Sequence, residues 1–251
     1  MPPISAVIIT KNEEDKIRGC LDSLRSIASE ILVVDSISSD QTVKICREYG
    51  CRVFSREFDG YGSQKQFAAD HALNNWVLSV DADEILTSEL QKELQIFSAS
   101  NDLPCDAYMV PFSLVYLGKI LKHSGVGKEM HLRLFNRQKA KFTTSPVHEG
   151  VITSGNTGRL RNRILHYSYR DISHHLEKIN AYTSRAADGL IMKGRKYSRL
   201  EVIFKFPLSF FTNYIIKGGM LDGYPGFIWS CLAAFYAMLK IAKTIELQKK
   251  Q

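Results

Sequence analysis

The chain has 251 residues, 45% of them apolar and 24% charged, which suits one substantial core with a small appendage and excludes a disordered chain. Five cysteines without a C-x-x-C spacing argue against a disulfide framework or zinc site and for a reducing compartment. The net charge of +7 is uneven, because residues 195–251 hold nine Lys/Arg against three Asp/Glu, or +6; such a tail suits an anionic partner, membrane or nucleic acid.

The opening "MPPISAVIIT" has no basic region followed by a long apolar stretch, so no signal peptide is expected. "ISAVIIT" (Ile4–Thr10) reads as a buried strand. Ile17, Cys20, Leu21, Leu24 and Ile27 then recur at helical spacing, with Asn12 as the expected cap. "EILVVDS" predicts a second strand and "SDQTVKICREYG" a helix with Ser39 as cap and Gly50 as stop. "CRVFSRE", "GSQKQFAADHAL" and "WVLSVD" add a strand, a helix and a fourth strand. This alternation predicts a parallel sheet with helices on both faces and a ligand site at the carboxyl ends of its strands.

"SELQKELQIFSA" reads as a helix capped by Ser88. Beyond it, "AYMVPFSLVYLG", "MHLRLFNR" and "GRLRNRILHYSYR" look like strands without long helical crossovers, so the sheet should become mixed. From Ile172 onward the pattern is helical. Gly223–Leu239 is free of charge for seventeen residues, short of the ~20 that a span needs. With the aromatic, lysine-flanked "FKFPLSFFTNYIIK" beside it, an interfacial helix pair is expected rather than a membrane span, the alternative being that both helices simply pack against the catalytic domain.

The chemistry concentrates in "WVLSVDADEIL", where an apolar strand ends on Asp81, Asp83 and Glu84. A D-x-D pair at a strand tip offers hard oxygen ligands for Mg²⁺ or Mn²⁺, ions that keep waters and bind substrate phosphates. Asp35 ends the second strand in the same way. "SPVHEGV" supplies Glu149, a candidate base for a hydroxyl, and His148, a candidate metal or diphosphate partner. Arg133 and Arg137 are candidates to hold an anion, although strand-edge arginines are more often solvated. No G-x-G-x-x-G follows the first strand and no G-x-x-x-x-G-K-[ST] occurs, which counts against a dinucleotide dehydrogenase and a P-loop ATPase.

The ordered pieces "AVIITKNEE", "ILVVDSISSDQT", "GSQKQFAADHAL", "LSVDADE" and "LRLFNR…VHEG" resemble family 2 glycosyltransferases over roughly Ile4–Gly150. Ile37 departs from the Gly usual in the second motif, and Gln41 stands where Gly is frequent. The ending "IIKGGMLDGYPGFIWSCLAAFYAMLK" is similar to bacterial lipopolysaccharide-core β-glucosyltransferases. The resemblance implies an α/β GT-A fold, Rossmann-like, with a mixed, mostly parallel sheet. Residues 1–170 would be the catalytic domain (nucleotide-sugar side 1–87, acceptor side 88–170), and 171–251 a helical, basic, membrane-associating extension. It implies an inverting, metal-dependent hexosyltransferase using Mn²⁺ or Mg²⁺ that moves a sugar, glucose by preference, from a UDP-sugar to a membrane-borne glycolipid such as lipopolysaccharide inner core. Thr10, Asn12, Glu13, Asp35, Lys65 and Asp81 would bind the nucleotide. Asp83, Asp81 and His148 would serve the metal, and Glu149 would be the catalytic base. The partners implied are donor, glycolipid and the inner face of the cytoplasmic membrane, with no nucleic acid. Alternatives are a polyprenyl-phosphate acceptor or a nucleotidyltransferase.

Overall fold

The computed structural model describes residues 2–100, 103–127, 129–143 and 150–249. They form two compact units, Met1–Phe112 with Glu129–His166 and Ser113–Lys128 with Tyr167–Gln251.

In the first unit the strands are β1 (Ile4–Thr10), β2 (Glu30–Asp35), β3 (Arg52–Ser55), β4 (Trp76–Asp81) and β5 (Glu84–Leu86). Four helices alternate with them: α1 (Ile17–Leu24), α2 (Thr42–Glu48), α3 (Tyr61–His71) and α4 (Ser88–Ala99). Then come β6 (Ala107–Tyr116), β7 (Lys119–Ile120, in the second unit), β8 (Met130–Asn136), β9 (Ala140–Phe142), β10 (Val151–Thr153), β11 (Thr157–Arg159) and β12 (Ile164–His166). The sheet order is β3-β2-β1-β4-β8-β6-β12-β5, with β11 on β6; β9 and β10 pair separately. β1 runs parallel to β2 and β4, whereas β8 is antiparallel to both β4 and β6, so the sheet turns mixed where the long helical crossovers stop.

Period-2 geometry explains the continuous apolar runs of β1 and β4. Ile4, Ala6 and Ile8 face one core with Ile17, Leu21 and Leu24 of α1, while Val7 faces the other with Ala68 and Ala69 of α3. Burying each such large side chain is worth ~1.5–3 kcal/mol. The register sets Thr10 beside Asp35 and Ile9 beside Asp81, so three strands end together.

Several local expectations needed correction. Asn12 does not cap α1, which starts at Ile17 with Lys16 in the cap position and no side-chain bond. Ser39 does not cap α2, which starts at Thr42; there Asp40 Oδ1 accepts from the Thr42 amide at 2.9 Å. Thr87 rather than Ser88 caps α4, accepting from the Leu90 amide. The stretch read as one strand, "GRLRNRILHYSYR", divides into β11 and β12 because they pair with different strands, β6 and β5. Glu93 holds the turn between them, accepting from the Arg161 and Asn162 amides at 2.9 Å.

The second unit holds the last residues of β6, β7 on them, and helices α5 (Ile172–Met192), α6 (Arg199–Phe211) and α7 (Gly223–Gln248). Asp171 caps α5, and Ser198 with Glu201 forms a capping box on α6. A π-helical turn (Thr212–Ile216) and a 3₁₀ turn (Gly219–Asp222) lead into α7, which packs against α5 and α6. Its buried stripe is Gly226, Ser230, Ala234, Ile241 and Thr244. Gly226 is required there, because a Cβ would stand 2.1 Å from the Gly219 carbonyl oxygen. Asp222 is buried and accepts from the Lys122 and His123 amides. Gly219–Gln248 is the only helical stretch among the described residues long and apolar enough to cross a membrane, by length and composition alone.

Candidate active site

The carboxyl ends of β1 and β2 are tied into one loop cluster. Asn12 adopts a left-handed backbone, φ 54°, and its amide donates to Ser38 Oγ at 2.8 Å while its Oδ1 accepts from the Ser39 amide at 2.9 Å. The Glu13 amide donates to Thr42 Oγ1 at 2.9 Å, and Glu14 Oε2 accepts from the Gln41 amide at 2.8 Å. Asp35, 1% exposed, accepts from the Ser38 amide at 2.8 Å and from its hydroxyl at 2.5 Å. Both of its oxygens are engaged, each with lone-pair capacity left for one further donor. Between these anchors Ile37 is 59% exposed at φ +60°, a strained conformation for a β-branched residue. Buried Thr10 Oγ1 has no hydrogen-bond partner among the described residues.

At the end of β4 the charges are paired within the protein. Lys65, buried on α3, stands 2.9 Å from Asp81 Oδ1. Arg133, buried on β8, donates from one terminal nitrogen to Asp81 Oδ2 at 3.0 Å and to Glu84 Oε1 at 2.5 Å. Its guanidinium lies 5.1 Å from the centre of the Phe112 ring. Glu84, 0% exposed, also accepts from the Asp81 amide at 2.8 Å. Burial would raise the pKa of Asp81, but the adjacent Lys65 and Arg133 hold it well below the usual carboxylate range. For Glu84 burial dominates over Arg133, and the Asp81 charge adds to it, pushing the group up to about 7.

Asp83 has different partners. His166 Nε2 stands 3.5 Å from its Oδ1 and Lys16 Nζ 3.8 Å from its Oδ2; Lys16 also lies 3.7 Å from Glu13. Against the effect of burial, His166 and then Lys16 lower the Asp83 pKa. Burial likewise opposes protonation of His166, but the contact with Asp83 outweighs it and raises the imidazole. His166 comes to this place because β12 pairs antiparallel with β5, setting it opposite Glu84. No sequence spacing signals a contact between residues 83 and 166. Arg133 was visible as a cation, but its burial depends on β8 lying against β4.

Lys65, Asp81, Glu84, Arg133, His131 and His166 line one cavity of about 550 Å³. Gly150 is on its wall, whereas its neighbours Glu149 and His148 lie outside the described residues. Thr10, Asn12, Glu13 and Asp35 belong to the loop cluster rather than to this wall. Arg137 is placed elsewhere, donating to the Ala69 and Asp70 carbonyls at the end of α3.

For a divalent cation the donors are unequal. Asp81 already faces Lys65 and Arg133, whereas Asp83 and His166 present an oxygen and a nitrogen 3.5 Å apart. No three His, Cys, Asp or Glu side chains gather as a metal shell among the described residues. A two-donor site completed by phosphate oxygens and water still fits Mg²⁺ or Mn²⁺.

Comparison with known proteins carries the fold and chemistry further. An uncharacterised glycosyltransferase of Rickettsia typhi is 34% identical over 100% of this chain and 89% of its own length. The lipopolysaccharide core biosynthesis glycosyltransferase LpsC of Rhizobium meliloti is 32% identical over 97% of this chain and 92% of its own. Among solved structures, the mannosyltransferase PcManGT from Pyrobaculum calidifontis, in complex with GDP-Man and Mn²⁺, matches 100% of this chain and 88% of that one. Its TM-score is 0.56 at 14% identity, so it shares the GT-A fold alone. The family model for glycosyl transferase family 2 matches residues 5–162. With that match across the sheet and its strand-tip carboxylates, and relatives along the whole chain, this protein belongs to glycosyltransferase family 2.

Proposed function

We propose that the protein is an inverting hexosyltransferase that moves a sugar, glucose by preference, from a UDP-sugar to a membrane-borne glycolipid such as lipopolysaccharide inner core. It would work at the inner face of the cytoplasmic membrane. The observation that carries the donor half is the pairing of Lys65 and Arg133 with Asp81 on a cavity wall at the end of β4. The full-length similarity to LpsC supports the acceptor half.

In this reading Thr10, Asn12, Glu13 and Asp35 take the nucleoside, and the orphaned Thr10 hydroxyl is a donor and acceptor that a ligand would satisfy. Lys65 and Arg133 offer positive charge to the diphosphate, with Asp81 and Glu84 fixing their positions. Asp83 with His166 would hold Mn²⁺ or Mg²⁺, and the bound ion would supply charge against the departing diphosphate. His148 is a further candidate donor. Glu149 removes the proton of the acceptor hydroxyl, whose oxygen bonds to the anomeric carbon as the bond to the diphosphate oxygen breaks. The proton ends on Glu149 and the electron pair on UDP.

A thermal-shift panel of UDP-, GDP- and dTDP-sugars with and without Mn²⁺ tests the donor. A UDP-selective, Mn²⁺-enhanced shift that disappears in Asp83→Ala is expected; full activity of that variant with added Mn²⁺ refutes the metal role. Glu149→Gln should keep the donor shift and lose ~10²–10⁴ in transfer rate.

A further inference from the structure

The second unit carries an apolar surface that its own helices leave uncovered. α6 has no buried residue. Leu200, Ile203, Phe204, Leu208 and Phe211 recur at helical spacing on it, each more than half exposed. A separate row, Phe206, Phe210 and Tyr214, stacks along the helix, and the last two meet Phe227 of α7 with ring centres 5.9 and 5.6 Å away. α6 therefore uses one apolar row for packing and presents a second outward. Ile216, in the π-helical turn, extends the outward row at 69% exposure. A soluble surface seldom leaves so continuous an apolar patch without a partner.

The charges around this row identify that partner. Arg195, Lys196 and Arg199 stand before it and Lys217 after it, while Lys205 is the only charged residue from Val202 to Ile216. Glu201 is the one acid between Arg195 and Lys217, and it is committed to the capping box of α6. We propose that the outward face of α6 and the turn after it is a docking surface for an anionic phospholipid bilayer. The leucine, isoleucine and phenylalanine side chains enter the headgroup–acyl boundary and the basic residues meet lipid phosphates. Two copies of the chain meeting through this face would bring like charges together, whereas a phosphate surface neutralises them.

Binding is interfacial rather than spanning. The Gly226, Ser230, Ala234, Ile241 and Thr244 stripe of α7 is buried. Lys243 of that helix donates to Asn180 and Ser184 of α5 at 2.7 and 2.8 Å. Crossing a bilayer alone would strip α7 of its packing against α5 and α6.

The inference deepens the reading of a membrane-borne acceptor by naming the surface and lipid class. Its test needs neither donor nor acceptor, so the two fail separately. The full chain is floated with phosphatidylcholine vesicles and with vesicles containing 30 mol% phosphatidylglycerol, a composition chosen at roughly the anionic content of a charged leaflet. Binding at least about tenfold stronger to the anionic vesicles is expected. The double variant Phe204→Glu/Leu208→Glu should lose at least about tenfold of it while keeping its melting temperature. Arg195→Gln/Lys196→Gln/Arg199→Gln should fall toward the neutral-vesicle level. Leu73→Glu, an equally exposed apolar site of the first unit, should bind like the parent. Equal binding by the double variant, or no preference for anionic lipid, overturns the proposal. So does a dimer in sedimentation that the double variant abolishes.

Discussion

The two units of this chain use apolar residues differently. In the first, β1 sends Ile4, Ala6 and Ile8 to one core and Val7 to another, so nearly every strand position is sealed. In the second, α6 buries no residue and α7 buries a stripe of mostly small ones. The first unit encloses charge as well: Lys65, Glu84 and Arg133 are all buried. The second keeps its cations outside and encloses a carboxylate held by backbone amides, Asp222, and one imidazole, His175, against Tyr116, Tyr169 and Trp229. An interior that holds paired charge fixes geometry for chemistry, whereas an uncovered apolar helix suits contact with something outside the chain.

The largest test of this contrast removes one partner of the buried charge group. Arg133→Met should cost ~3–5 kcal/mol in urea unfolding, since Asp81 and Glu84 lose their shared cation. The cost should be smaller at pH 5, where Glu84, already raised to about 7, is protonated. A loss below 1 kcal/mol at pH 8 would mean the arginine is not needed to balance those carboxylates.

Matched leucines separate the two kinds of apolar residue. Leu78→Ala, in the core beside β1, should cost ~2–5 kcal/mol. Leu208→Ala, 63% exposed on α6, should stay within ~0.5 kcal/mol. Equal costs would erase the contrast.

Acidification should move the units in opposite directions in metal-free protein. Glu84 has a folded pKa above its ordinary value, so its contribution is present below about 4.5 and is lost as pH rises through about 7. Burial lowers His175 from 6.5 to about 4, so its contribution is present above 6.5 and lost as pH falls toward 4. Going from pH 7 to 5, hydrogen exchange should slow in β4 and quicken in α5 once corrected for the intrinsic rate. His175→Gln should remove the second change.

The smallest effect concerns the loop after β2. Ile37→Asn keeps a residue that tolerates φ near +60° and should stabilise by ~1 kcal/mol in thermal unfolding. No gain would show that Oδ1 of Asn12 and the Asp35–Ser38 bonds do not impose the left-handed turn.

Much of the first unit was legible in the sequence because its signals are local. Strand–helix alternation, carboxylates at strand ends and the helical start at Ile172 follow from periodicity over a few residues. Lys65 was placed by its motif, and the structure sets it 2.9 Å from Asp81. The caps were misread because Asn12 and Ser39 bond each other across two loops, a contact 27 residues apart that outcompetes local capping. Glu149 and His148 remain assignments from the motif "VHEG".

The amino-acid order by itself determined the parallel half of the sheet, the family, and the presence of Asp35 and Asp81 at strand ends with Asp83 in the turn just beyond, because period-2 and period-3.6 patterns act within single elements. Tertiary structure alone decided which cations those carboxylates meet. Arg133 reaches Asp81 and Glu84 through the antiparallel seating of β8 on β4, and His166 reaches Asp83 through β12 on β5. It also decided that α6 shows its second apolar row to the outside. Strand register and helix orientation are set by packing between distant segments, and no window along the chain contains both partners.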